Sequence, residues 1–188
     1  MLTDSERQQA IEAIRDAHRT KKQAIQPSVM FPHITIDDAY AISSALADDK
    51  VKQGSTIVGH KIGLTSKAMQ ASSQIDEPDY GYIFSDQVMS DGAKVRHEDF
   101  CVPRVEPELT FILDKPLKGP GIGLVDVLRA TEYVVPSIEI IDARVQNPRK
   151  IFDTVSDNGA GAGIVLGGRP VKVDEVDLRW VGAVFYRN

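Results

Sequence analysis

Residues 103–113 read PRVEPELTFIL, and the fold prediction starts here because two carboxylates interrupt an otherwise apolar, strand-like run. Side chains alternate along a β-strand, so Glu106 and Glu108 share one face and the apolar residues share the other. Neighbouring like charges repel each other and lose hydration unless a partner compensates. The pair therefore indicates either a solvated strand face or a bound divalent cation. Pro107 cannot donate to a β-ladder, which predicts an edge or bulged position.

A second strand-like run, YVVPSIEIID at residues 133–142, carries Glu139 in its middle. Strands this apolar are usually covered on both faces, so we predict that Glu139 is buried or is a ligand. With Glu106 and Glu108 it forms an all-oxygen set from two strands. Such a set suits Mg²⁺ or Mn²⁺, whereas zinc prefers nitrogen and sulfur ligands.

Length and composition narrow the class of protein. The 188 residues carry a formal net charge of −5, which argues against nucleic acid or an anionic membrane as partner and favours a small-molecule substrate. One principal domain over residues 1–188 is expected at this size. The start lacks the order of a signal peptide and no apolar run approaches the ~20 residues of a membrane span, so we predict a cytoplasmic protein.

Two capping boxes organise the first quarter of the chain. Thr3 with Glu6 predicts a helix that runs to about residue 22, and Thr35 with Asp38 predicts a second that runs to about residue 54. Residues 1–54 are therefore predicted to form a helical layer.

Residues 55–188 are predicted to form the β part that holds the metal site. A strand over residues 56–63 places Lys61 between two glycines, with unusual access to a ligand. The turn signal at residues 91–93 predicts a hairpin that enters the strand at 103–113, and residues 180–188 read as a terminal strand. The spaced glycines of residues 159–168 indicate close backbone packing or substrate approach, because a phosphate loop would end in Gly-Lys-Ser/Thr.

Five stretches together resemble a known family. They are GHKIGLTSKAMQ (59–70), EPDYG (77–81), RVEPE (104–108), IEIIDAR (138–144) and FDTVSDN (152–158). In this order they resemble the 2-oxopent-4-enoate hydratases and 4-oxalocrotonate decarboxylases of the fumarylacetoacetate hydrolase superfamily. The resemblance is closest to the branch that acts on the seven-carbon 2-oxohept-4-ene-1,7-dioate.

The resemblance implies a fold and a set of site residues. The fold is α+β, with an N-terminal helical layer packed on a mixed, distorted β-roll, here without the family's C-terminal part. Glu106, Glu108 and Glu139 are implied to bind Mg²⁺ or Mn²⁺. Lys61 is implied to be the active-site lysine, and Asp79 matches an acidic active-site position.

The resemblance also implies a reaction. It is the Mg²⁺-dependent addition of water to a 2-hydroxy-dienoate or 2-oxo-enoate, giving a 4-hydroxy-2-oxo acid in aromatic catabolism. The resemblance also implies a homo-oligomer that can associate with a decarboxylase partner. Three alternatives stay open: decarboxylation of a 4-oxalocrotonate-type substrate, hydrolytic C–C cleavage, and an inactive, truncated partner subunit.

Overall fold

The computed structural model describes residues 1–73 and 75–186 and combines helices with mixed β-sheets, as the α+β prediction requires. The helices are α1 (Asp4–Thr20), α2 (Pro27–Met30), α3 (Ile36–Lys52), α4 (Lys67–Ser73), α5 (Leu124–Ala130) and α6 (Ile151–Ser156). The strands are β1 (Ile57–Gly63), β2 (Asp79–Phe84), β3 (Val88–Ser90), β4 (Pro103–Leu113), β5 (Thr131–Asp142) and β6 (Gly161–Leu166). Among these described residues, no helix combines the length and the apolar character needed to cross a membrane.

The helical layer begins at the two predicted capping boxes, and both are formed. Each threonine hydroxyl accepts a hydrogen bond from the backbone N–H three residues on, and the acidic side chain there accepts one from the backbone N–H of the threonine. Ile14 of α1 and Ile42 of α3 are fully buried. They pack against Val145, which follows β5, so the layer is fixed to the sheet by apolar contact.

Asp38 ties the start of the chain to α3. Its carboxylate accepts hydrogen bonds from the Leu2 backbone (3.0 Å), the Thr35 hydroxyl (2.7 Å) and the Arg7 guanidinium (3.3 Å). Burial alone would raise the pKa of Asp38, but the hydrogen bonds from Thr35, Leu2 and Arg7 outweigh burial and lower the pKa to about 2.

We predict that Asp38→Asn destabilises the fold by about 1–3 kcal/mol at neutral pH, because an amide donor then meets backbone N–H donors. The pKa of Asp38 is lower in the folded than in the unfolded protein. Its contribution to the free energy of unfolding is therefore complete above the unfolded pKa of about 3.9 and is lost as the pH falls towards about 2. In urea denaturation, the difference in the free energy of unfolding between variant and wild type should shrink as the pH falls from about 3.9 to about 2. Asp37→Asn, on the exposed side of the same helical turn, is the control, with an expected change within about 0.5 kcal/mol. An equal loss in both variants would contradict the role given to Asp38.

The larger sheet has four strands in the order β3-β6-β5-β4, with β3 parallel to β6 and the other pairs antiparallel. Strands β1 and β2 form a separate antiparallel pair. Strand β4 lies at the edge of its sheet, which confirms the prediction from Pro107. The register places Glu106 directly opposite Glu139.

Two predictions about strands are wrong. The turn at residues 91–93 does not close a hairpin onto β4, because β3 pairs with β6 through Val88 and Ile164. Turn chemistry is local and does not specify the partner strand. Residues 181–186, described as neither helix nor strand, follow a short 3₁₀ turn at Leu178–Trp180; residues 187–188 of that prediction lie outside the described residues. Apolar periodicity alone does not make a strand, since a strand also needs a partner for its backbone groups.

Candidate metal centre

Three carboxylates meet where β4 and β5 pair. Glu106 and Glu139 are directly opposite each other, and Glu108 lies on the same face of β4. One carboxylate oxygen from each residue lies within 4.8 Å of the others. The structure thus brings together the three residues that the sequence indicated as ligands.

The electrostatics of this cluster fit a cation. Burial raises the pKa of Glu139 to about 6; Lys61 opposes the rise, and Glu106 and Glu108 add to it. Burial and then Glu106 also raise the pKa of Glu108. Hard cations with oxygen ligands at about 2.0–2.6 Å bring those oxygens to within about 4–5 Å of one another. The oxygen donors, their spacing and their charge therefore fit a divalent ion such as Mg²⁺.

Lys61 of β1 lies at the edge of the carboxylate cluster. Its Nζ atom is 3.5 Å from Oε1 of Glu139 and donates a hydrogen bond of 2.9 Å to the carbonyl of Gly159. The side chain is only 11% exposed. Its partner residue on β2 is Gly81, so no side chain on that neighbouring residue competes for the space.

Asp79 begins β2 and is buried near Lys61. Its Oδ1 atom accepts no hydrogen bond from the residues that the structure describes. Burial raises the pKa of Asp79, and the Lys61 charge opposes that rise. A Cβ atom at Gly63 would lie 2.2 Å from this oxygen and 3.5 Å from the Lys61 Nζ atom, so both groups crowd the same glycine. The absence of a side chain at Gly63 therefore leaves room for the Asp79 carboxyl group beside Lys61.

The turn between α6 and β6 is part of the site. The sequence indicated only close backbone packing or substrate approach for the glycines that begin in this turn. Asn158, Gly159 and Ala160 have φ angles of 56°, 59° and 58°, all in the left-handed region. The Asn158 side chain accepts from the Tyr82 backbone N–H (2.7 Å) and donates to the Tyr82 carbonyl (3.0 Å). The Asn-Gly pair is a visible signal for such a turn, although it does not reveal the partner.

A buried ion pair holds both ends of this turn. Arg144 is 2% exposed and pairs with Asp157. Its guanidinium also donates to the carbonyl of Asp157 (2.6 Å) and to that of Gly161 (3.1 Å). The turn is therefore fixed on the side of the larger sheet by Arg144 and on the side of β2 by Asn158.

The chain is similar in sequence to hydratases of small oxo acids. No protein-family model matches it. It is 53% identical over 179 residues to a 2-oxo-hept-4-ene-1,7-dioate hydratase from Escherichia coli, covering 92% of this chain and 67% of that protein. It is 41% identical over 157 residues to a 2-hydroxypent-2,4-dienoate hydratase from Pseudomonas putida, covering 82% and 71%.

The fold of the chain is similar to that of a solved structure. The 4-oxalocrotonate decarboxylase from Pseudomonas putida G7, complexed with magnesium and adipate, matches with a TM-score of 0.88 at 33% identity. The match covers 95% of this chain and 68% of that one. The chain spans about two thirds of the length of these three proteins.

Proposed function

The chain belongs to the 2-oxopent-4-enoate hydratase and 4-oxalocrotonate decarboxylase family, and from this membership we propose that it hydrates a 2-hydroxy-dienoate or 2-oxo-enoate. The product is a 4-hydroxy-2-oxo acid of aromatic catabolism. The 53% identity to a hydratase of 2-oxo-hept-4-ene-1,7-dioate supports that seven-carbon diacid as the substrate.

One observation carries the proposal: three carboxylate oxygens within 4.8 Å of one another, with the Lys61 ammonium 3.5 Å from one of these carboxylates. Glu106, Glu108 and Glu139 would hold Mg²⁺ or Mn²⁺. When bound, the ion would supply Lewis-acid stabilisation of the negative charge that develops on the 2-oxo oxygen.

The residues around the carboxylates provide proton transfer. Ketonisation of the dienol moves the proton of the 2-hydroxyl group to C5 and conjugates C4 with the carbonyl. Attack of water at C4 and protonation of C3 then give the product. Lys61 is held beside Glu139 and is the group placed to move the proton. Asp79 is buried near Lys61, whose charge opposes the rise in the pKa of Asp79, and we assign it a supporting role beside the lysine.

Decarboxylation is the second candidate, because the matched structure of a decarboxylase has the same fold. Hydrolytic C–C cleavage is less well supported, since it calls for a histidine–acid pair that activates water. His60 is exposed and lies against the rings of Tyr80 and Tyr82, on the face of β1 opposite to that of Lys61.

The reaction is tested by incubating the protein with Mg²⁺ and each candidate dienol. We expect Mg²⁺-dependent loss of the dienol absorbance and formation of a 4-hydroxy-2-oxo acid, detected by mass spectrometry as a gain of one water. Release of CO₂ in place of hydration would overturn the choice of reaction. Absence of any Mg²⁺-dependent loss would favour the inactive partner subunit instead.

We further propose the finer features that the family membership implies. Residues 1–188 form one domain, with a helical layer over 1–54 and a distorted β-roll that carries the site over 55–188. Homo-oligomers form, and a decarboxylase is a partner. Support for the roll is the separate β1–β2 pair, which lies against the turn at residues 158–160 beside the larger sheet.

A further inference from the structure

The Lys61 ammonium is held by a backbone carbonyl as well as by a carboxylate. A lysine side chain has four rotatable bonds and about 2 kcal/mol of rotamer entropy, so it needs an anchor to keep its nitrogen in one place. The Gly159 carbonyl accepts a hydrogen bond of 2.9 Å, whereas the nearest Glu139 oxygen is 3.5 Å away. The shorter contact fixes the nitrogen, so its position depends on where that carbonyl lies.

The carbonyl lies where it does because of an unfavourable backbone conformation. Three successive residues, 158–160, have left-handed φ angles, which asparagine and glycine tolerate and Ala160 does not. This conformation costs about 1–2 kcal/mol for an ordinary residue, and persists only where the surroundings hold it. Arg144 fixes the carbonyls of Asp157 and Gly161, which flank the turn. These hydrogen bonds do not reach residues 158–160 themselves, so other contacts must hold those residues in place.

Asn158 provides that attachment. Its side-chain amide makes both hydrogen bonds that a neighbouring strand would make with Tyr82, at 2.7 Å and 3.0 Å. Gly81 permits the close approach, because a Cβ there would lie 2.4 Å from the Asn158 carbonyl oxygen. Since Gly81 is also the cross-strand partner of Lys61, the contact that seats the turn lies next to the lysine.

We propose that Asn158 is a positioning residue, which ties the turn at residues 158–160 to β2 so that the Gly159 carbonyl holds the Lys61 ammonium beside Glu139. Asn158 acts through Lys61 and does not itself touch the reacting atoms. The kinetic part of this inference rests on the proposed hydratase function. The structural part, the restraint on Lys61, does not.

The test variant is Asn158→Gly. Glycine adopts a positive φ without steric cost, so the substitution removes the two side-chain hydrogen bonds and leaves the turn conformation accessible. Lys21→Gly is the matched control, because Lys21 also has a φ of 57° but ends α1, away from the carboxylates. Gly81→Ala is a second, independent variant, since its Cβ must displace the Asn158 carbonyl.

The first readout needs neither metal nor substrate. Metal-free protein is treated briefly with acetic anhydride, and the acylation rate of each lysine is read by mass spectrometry. In Asn158→Gly we expect the rate at Lys61 to rise by at least about threefold, because the ammonium is released from its carbonyl. The rate at the exposed Lys115 should stay constant, and Lys21→Gly should leave Lys61 unchanged.

The second readout is kinetic. We expect kcat of Asn158→Gly to fall about 10- to 100-fold through misplacement of the lysine, with KM within about twofold. Mg²⁺ affinity, measured by calorimetry, should be retained because no carboxylate is removed. Lys21→Gly should keep the wild-type kcat.

The results of these experiments distinguish a failure of the positioning role of Asn158 from a failure of the proposed hydratase function. Wild-type acylation at Lys61 and wild-type kcat in Asn158→Gly would overturn the positioning role. So would a rise at Lys61 that Lys115 matches in a protein that keeps its thermal transition, because this pattern marks a general loosening of the fold and not a local restraint on Lys61. If Asn158→Gly does not fold, Gly81→Ala decides by the same criteria. If the wild type does not consume dienol, the proposed function fails and acylation alone decides the positioning role.

Discussion

Glu139→Gln is expected to weaken Mg²⁺ binding by at least about 100-fold, a loss of roughly 2.8 kcal/mol. Glutamine has the same shape but carries no charge, and Glu139 is the most buried of the three carboxylates. Removing it leaves two carboxylates to compensate for the dehydration of a divalent ion. Titration calorimetry measures the affinity, and circular dichroism checks that the fold is retained.

Glu132→Gln is the matched control, because Glu132 lies on the same strand but outside the carboxylate cluster. It should keep the wild-type affinity within about twofold. Glu106→Gln should behave like Glu139→Gln. Unchanged Mg²⁺ affinity in both of these variants would refute the ligand assignment.

Lys61→Met is expected to lower kcat by about 10²–10⁴-fold, the usual contribution of a general acid–base group. Methionine keeps an unbranched chain of similar length but cannot carry a proton. Because the substitution removes a positive charge 3.5 Å from Glu139, Mg²⁺ affinity should be equal to or stronger than that of the wild type. This opposite response of turnover and metal affinity distinguishes a lost proton carrier from a damaged metal site.

Lys115→Met, at an exposed position, is the control for loss of a lysine and should retain kcat. Steady-state dienol consumption at saturating Mg²⁺ provides the measurement. A Lys61→Met variant with kcat within about threefold of wild type would remove Lys61 from the mechanism.

The carboxylate cluster could be found from the sequence because its members violate a simple pattern. Charges inside apolar, strand-forming runs are costly without a partner, and this cost singles out Glu106, Glu108 and Glu139. Their relative placement could not be found in the same way. Alternation gives the face of each strand, but the register that sets Glu106 opposite Glu139 arises from pairing along the whole of β4 and β5.

The contacts that hold Lys61 in place could not be predicted from the sequence. The Asn-Gly pair at 158–159 predicts a turn from local chemistry alone. Its two partners are remote, since Tyr82 is 76 residues away from Asn158 and Lys61 is 98 residues away from Gly159. The wrong hairpin at residues 91–93 has the same origin. Local signals give the elements, and long-range packing selects their partners.

The most direct test of the central claim is a crystal structure of the protein with Mn²⁺, located by its anomalous scattering, and a 2-oxo acid. We expect one ion within about 2.5 Å of an oxygen from each of Glu106, Glu108 and Glu139, with the Lys61 ammonium beside Glu139. The 2-oxo acid should complete the coordination from the open side. An ion bound by other residues, or none at these carboxylates at a concentration that saturates binding in solution, would contradict the account.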